Sequence, residues 1–295
     1  MSEKKEISEK TLKILLAMQI NEETEAVVYE KVARYIKDEH NKEVVKKIGA
    51  EEKRHAAVWK KYTNVDAKPK RLKIFWYLLL ARILGFTFAL KLMEKGEGMA
   101  SSAYDAIAHE VPEAEKIARD EDVHEQQLLQ LLDEERLQYV GSMVLGVSDA
   151  LVELTGTLAG LSLAMQNTKL IALSGLITGI SASLSMGSSE YLSNRSDGDP
   201  NALKAGLYTG FVYLVTVMFL VLPYLLFPAK SFMYALAVML GIVVLIILGF
   251  TYYISVAKDV PFLKRFGEMT AISLGVAIIS FGIGVAVKAF LGIDI

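Results

Sequence analysis

Between Val140 and the end of the chain, five apolar segments follow one another, at roughly 140–166, 169–193, 204–227, 231–257 and 268–291. A helix needs about 20 mostly apolar residues to cross the hydrocarbon core of a bilayer. Each of these runs is long enough, and the connections between them are short: QNTK, NRSDGDPNA, the stretch around Pro228–Lys230, and KDVPFLKRFGE. In lipid every backbone N–H and C=O must be paired within the segment, so such a chain can only become a helical membrane bundle.

Charge divides the chain in the same place. Residues 1–140 hold 24 of the 32 Lys/Arg and 26 of the 34 Asp/Glu, which leaves 8 and 8 for residues 141–295. The expected organisation is all-α: a charged domain over 1–138 and a five-helix transmembrane domain over 139–295. A net charge of −2 argues against a nucleic-acid partner. The absence of cysteine excludes disulfides, thiolate metal sites, Fe–S clusters and cysteine nucleophiles.

The opening MSEKKEISEKTLKILLAMQ mixes charges around a short apolar patch and does not read as a secretory signal. The first domain is therefore expected in the cytoplasm. The positive-inside rule agrees, with Arg195, Lys204, Lys258, Lys264 and Arg265 on that side against Lys169, Lys230 and Lys288 on the other. Five crossings then place the C-terminus outside, and the expected location is the plasma membrane. Small residues in the second and fifth runs (Gly175, Gly179, Ser181, Ser183, Ser185, Gly187; Gly275, Gly282, Gly284) permit close helix packing or dimer contacts.

Segment 72–93, LKIFWYLLLARILGFTFALKLM, is a sixth apolar run, but it contains Arg82 and Lys91 and leads into Glu94 and Glu97. Two readings are open: a spanning helix, or a long helix of the first domain that is partly buried or lies on the membrane surface. The second is preferred, because the metal pattern described next needs its C-terminal half in the cytoplasm.

The first domain is expected to form four helices, near 8–38, 40–63, 72–109 and 112–138, with Pro69 and Pro112 at boundaries. Two features recur. Glu22 is followed seven residues later by Tyr29, and Glu97 by Tyr104; between and after these come E-x-x-H motifs, Glu52/His55 and Glu121/His124. Glu and His at i and i+3 leave one helix face together. Two such pairs plus one Glu from each remaining helix form the donor set of a carboxylate-bridged di-iron or di-manganese site, with Mn or Zn as substitutes for Fe. A single E-x-x-H on a charged helix reads first as solvated surface; two copies in matching order do not. Glu25 and Glu94, each three residues from a primary glutamate, are either further ligands or surface charges. Tyr29 and Tyr104 are core residues or redox partners.

By INEETEAVVYEKVA and the doubled E-x-x-H, the first 140 residues resemble the ferritin-like superfamily, rubrerythrin-type domains in particular. The resemblance implies a four-helix bundle that binds two irons and reacts them with oxygen or peroxide. No cysteine-ligated rubredoxin module accompanies it.

The first apolar run carries Asp149 and Glu153, four apart and so on one helix face. Carboxylates are costly in hydrocarbon and mark ion pathways or internal hydrogen-bonded contacts. VLGVSDALVELTGTLAGL and SMGSSEYLSNRS resemble the first two spans of the vacuolar iron transporter family. That resemblance implies a divalent-metal pathway at a dimer interface, here with Asp149 and Met186. A carboxylate and a thioether facing one cavity can replace part of the water shell of Fe²⁺ while disfavouring Mg²⁺ and Ca²⁺. Glu153 would be a further ligand or a proton carrier, and Glu190 the entrance. The connection NRSDGDPNALK lacks the helical insertion of eukaryotic members, and the fusion resembles membrane-bound ferritins of bacteria and archaea.

Three functions are weighed. The first is Fe²⁺ or Mn²⁺ export in exchange for protons, by a homodimer whose first domain collects, senses or oxidises the ion. The second is a membrane-tethered di-iron oxidase or peroxidase of the rubrerythrin type. The third, storage in a closed shell, is implausible with five spans per chain.

Overall fold

The computed structural model describes residues 7–98, 101–130, 139–258 and 260–291. The chain divides into two compact units, Met1–Leu137 and Gln138–Ile295.

In the first unit, α1 (Glu9–Val32) begins where the Ser8 hydroxyl accepts the Thr11 N–H. The second helix, α2 (Glu39–Thr63), begins where Asp38 accepts the Asn41 N–H at 2.7 Å. These caps satisfy N–H groups that have no partner within their own helix. α1 ends in a tightened turn, with Arg34 N–H on Lys31 O and Tyr35 N–H on Val32 O, so the helix expected to reach residue 38 stops near 32. α2 closes on Asn64 in the left-handed region, φ 52°.

The helix expected over 72–109 is not continuous. It divides into α3 (Arg71–Leu84), α4 (Phe86–Gly98) and α5 (Ser101–Ile107). The break between α3 and α4 is Gly85, at φ 104° and ψ 152°, a backbone conformation that a Cβ would strain. α3, at 14 residues, is about 21 Å long and cannot cross a core of about 30 Å. α6 (Glu113–Gln130) is the last described helix of the unit, and the remainder of the helix expected to reach residue 138 lies outside the described residues.

Two apolar layers hold these helices together. One is built from Val28, Val32, Val45, Ile48, Ile74, Leu90, Met93 and Leu128. The other contains Leu15, Met18, Trp59, Tyr104, Ile107, Ala114 and Ile117. Along α1 the second layer comes before the first, and along α2 after it, as antiparallel packing requires. Residues 19–25 of α1, 52–55 of α2 and 121–124 of α6 fall between the two layers.

In the second unit, α7 (Val140–Met165), α8 (Thr168–Ser196), α9 (Ala202–Leu226), α10 (Phe232–Lys258) and α11 (Phe262–Leu291) are long and apolar enough to cross a membrane. α7 is central and packs against the other four. Its Leu151, Leu154 and Leu158 meet Tyr213, Val217 and Tyr224 of α9 and Met239, Val243 and Ile247 of α10. Two glycines allow the closest approaches: a Cβ on Gly146 would lie 2.5 Å from the Thr209 carbonyl oxygen, and one on Gly206 2.5 Å from that of Gly187. Gly175 and Gly179 face Leu158 and Val217 inside the same chain, whereas Gly275 and Gly282 face open space.

Candidate functional site

The space between the two apolar layers of the first unit is filled by acids and imidazoles. Ligand-capable atoms of Glu22, Glu52, His55 and Glu121 all lie within 4.8 Å of one another. α1 supplies the first, α2 the next two, and α6 the last together with His124. The i, i+3 spacing aims each Glu and His of a motif at the same point.

Glu52 and Glu121 sit between the two rings. Glu52 places Oε1 2.9 Å from His124 Nδ1 and Oε2 3.5 Å from His55 Nδ1. Glu121 places Oε1 3.0 Å from His55 Nδ1 and Oε2 3.4 Å from His124 Nδ1. Glu22 Oε2 is 3.9 Å from His55 Nδ1. Among the described residues, Glu22 Oε2, both oxygens of Glu52 and of Glu121, and Nδ1 of both histidines are buried without a hydrogen bond of proper geometry. Buried polar atoms are ordinarily paired. Here they crowd together at one place, close enough to share a single cation. The donor set, carboxylate oxygen and imidazole nitrogen without sulfur, suits iron, manganese or zinc.

Protonation follows from the same crowding. Burial pushes the Glu22 carboxyl well above its usual range, and the neighbouring Glu52 adds to this. Burial pushes Glu52 up too, but the imidazoles of His124 and His55 outweigh it and hold the carboxyl down at about 2. Burial pulls His55 and His124 down, yet the carboxylates of Glu121 and Glu52 beside them prevail and raise them to about 9 and about 11. In the metal-free layer, protons on the two rings offset the carboxylate charge.

The remaining candidates are distributed differently. Glu25 is buried, but Lys73 of α3 sits 3.1 Å from its Oε1, so its charge is matched there. Glu94 is buried and accepts the Tyr29 hydroxyl; burial and the charge of Glu52 raise its carboxyl well above the ordinary range. Glu97 lies in α4, its side chain outside the described residues.

Several residues at the layer carry no signal of their own in the sequence. Trp59 donates its indole N–H to Glu22 Oε1 at 3.2 Å. Gln127, three residues beyond His124, keeps a buried Oε1 without a hydrogen bond among the described residues. Glu51 and Asp120 lie outside the layer, 2.8 Å from His124 Nε2 and 3.4 Å from His55 Nε2. Each immediately precedes an E-x-x-H, so the available signal was an acid at that position in both copies.

In the second unit, Glu153 of α7 is exposed and accepts the Tyr213 hydroxyl of α9 at 2.9 Å. Asp149, one turn earlier, is half-buried. Met186 of α8 packs against the apolar core of the unit. Glu190, near the end of α8, accepts the Ser142 hydroxyl at 2.8 Å. Among the described residues, these acids do not converge with further carboxylates or imidazoles as those of the first unit do.

Comparison with known proteins bears on the second unit. No curated protein and no solved structure matches the chain. Residues 140–201, which span α7, α8 and the connection to α9, match the VIT family. With five apolar helices, the match supports a multi-pass membrane protein carrying a vacuolar-iron-transporter membrane domain, of a family that points to membrane transport of iron or manganese.

Proposed function

We propose that the chain exports Fe²⁺, and also Mn²⁺, from the cytoplasm across the plasma membrane in exchange for protons. The observation that carries this reading is the pair Asp149 and Glu153 on one face of a membrane-spanning helix inside the VIT match. An anchor has no use for intramembrane acids, whereas a cation pathway does. Two carboxylates one turn apart in low dielectric do not both stay charged cheaply, so loss of a metal ion favours uptake of a proton.

A homodimer is part of the reading. Glu153 is exposed, as are Ser181, Ser185, Ser188 and Ser189 on α8. Polar faces on membrane helices need water or a partner instead of lipid, and a second copy supplies both along a shared pathway.

The first unit collects the ion on a ferritin-like di-metal layer. Glu22, Glu52, His55, Glu121 and His124 hold the metal, with Glu94 and Glu97 supplied by α4. Iron held there brings redox chemistry with oxygen or peroxide. The chain's own side chains exclude water from the layer and hold protons on His55 and His124 when the metal is absent. The second reading, a membrane-tethered di-iron oxidase, is favoured by one contact: Tyr29 bonded to Glu94 inside the layer.

Flux separates the two. Full-length protein in liposomes with an imposed proton gradient is expected to move Fe²⁺ and Mn²⁺, and Asp149→Ala to move neither. If the wild type carries no metal under these conditions, export is wrong and the oxidase reading takes its place.

A further inference from the structure

α3 is apolar on both of its sides, which a helix on the outside of a soluble bundle is not. On its inner side Ile74 is buried, and Tyr77, Leu78 and Ala81 pack against the apolar layer built around Val28 and Ile48. On its outer side Leu72, Phe75, Trp76 and Ile83 are each more than half exposed. Offsets of three, four and eleven residues place them in one stripe along the helix.

The surroundings of the stripe have one sign of charge. From Ala67 to Met93 the sequence holds Lys68, Lys70, Arg71, Lys73, Arg82 and Lys91, and not one Asp or Glu. Lys73 faces Glu25 on the inner side. Lys68, Lys70, Arg71 and Arg82 are exposed. Gly85 then ends the helix at a length too short to span.

We propose that this outer face of α3 docks on an anionic phospholipid bilayer. Leu72, Phe75, Trp76 and Ile83 enter the boundary between headgroups and acyl chains, and Lys68, Lys70, Arg71 and Arg82 meet lipid phosphates. Trp is at home at that depth, and an apolar stripe flanked by cations is the composition of a helix lying in the interface. The charge selects this occupant over a second copy of the unit. A two-fold contact through α3 would set the same cations against themselves, whereas an anionic surface attracts every one of them. The bilayer is always at hand, since the same chain carries five spanning helices. This docking is independent of what the chain transports.

The test uses the full-length protein in nanodiscs of phosphatidylcholine with and without phosphatidylglycerol. The lipids carry bromine either shallow or deep in the acyl chain. The chain has two tryptophans, Trp59 fully buried and Trp76 exposed, so emission reports on this unit alone. The shallow bromines are expected to quench wild-type emission and the deep ones hardly at all, while Trp76→Phe becomes insensitive to both. Arg71→Gln with Arg82→Gln is expected to weaken docking on the anionic discs about 25-fold, at about fivefold per cation, seen as loss of quenching. Absence of quenching at either depth would mean that α3 faces water or protein and would overturn the proposal. Stronger quenching by the deep bromines would mean insertion across the core and would overturn it as well.

Discussion

His124 and Glu51 are joined from outside the buried layer: Nε2 of His124 donates to Glu51 Oε2 at 2.8 Å, while Nδ1 of the same ring faces Glu52 Oε1 at 2.9 Å. A carboxylate on the far nitrogen fixes the ring's orientation and makes Nδ1 a better donor to a metal. Glu51→Ala is therefore expected to weaken Mn²⁺ binding to the first unit by about 10- to 100-fold, measured by titration calorimetry on the full chain. An unchanged affinity would show that His124 is held by packing alone.

Acidity works against the metal. In the metal-free protein His55 and His124 are raised to about 9 and about 11, and Glu22 and Glu94 are raised as well, so binding must expel protons from the layer. Apparent Mn²⁺ affinity is expected to rise steadily from pH 6 to pH 8. The heat of binding should also change between buffers of different ionisation enthalpy. A pH-independent affinity is the outcome that refutes this.

Without metal, stability runs the other way. A raised imidazole contributes fully below its unfolded value of 6.5, and the contribution disappears as pH rises through 9 to 11. Glu52, held at about 2, contributes above 4.5 and loses that contribution as pH falls through 2. Thermal unfolding of the Trp76→Phe protein, followed by Trp59 emission in chelator, should show a midpoint that falls from pH 7 to pH 11. A midpoint that climbs over that window contradicts the assignment.

Tyr213 is the described partner of Glu153, at 2.9 Å. Tyr213→Phe keeps the ring and removes that hydrogen bond. With Glu153 serving the pathway as a carboxylate held in place by this bond, flux in liposomes should fall about tenfold, as expected for a lost hydrogen bond to a charged group worth about 1.5 kcal/mol. Wild-type flux in this variant would remove Tyr213 from the pathway.

The closest helix contact beside the intramembrane acids is equally open to trial. Gly146 has no room for a Cβ against the backbone of Thr209, so Gly146→Val must push α7 away from α9. Overpacking of this kind costs about 1–3 kcal/mol, which should appear as a clear drop in the detergent unfolding temperature. Gly275→Val, where a Cβ meets open space, is the matched control and should leave it unchanged.

The membrane helices could be read from sequence because hydrocarbon permits a single solution, and runs of that length and polarity admit no other use. The E-x-x-H motifs were legible because helical spacing alone brings Glu52 and His55, or Glu121 and His124, to one face. What escaped depended on the third dimension. Nothing local tells that Glu25 meets Lys73, 48 residues away. Glu51 and Asp120 are, by sequence alone, two charged residues among many, since their importance lies in reaching a ring on another helix. The break at Gly85 was hidden because the apolar pattern continues straight through it, and a single glycine inside such a run is compatible with a continuous helix.

The two apolar layers have a consequence for how ions arrive. Leu15 and Trp59 cover one side of the acid layer and Val28 and Ile48 the other, all fully buried, so among the described residues apolar side chains cap the layer along the bundle axis. Among the described residues, water touches this region at the seam between α2 and α6, where the side chains of Glu51 and Asp120 are 20% and 43% exposed. An incoming cation is therefore expected to pass these two carboxylates and to enter sideways, through a charged doorway instead of down the bundle axis.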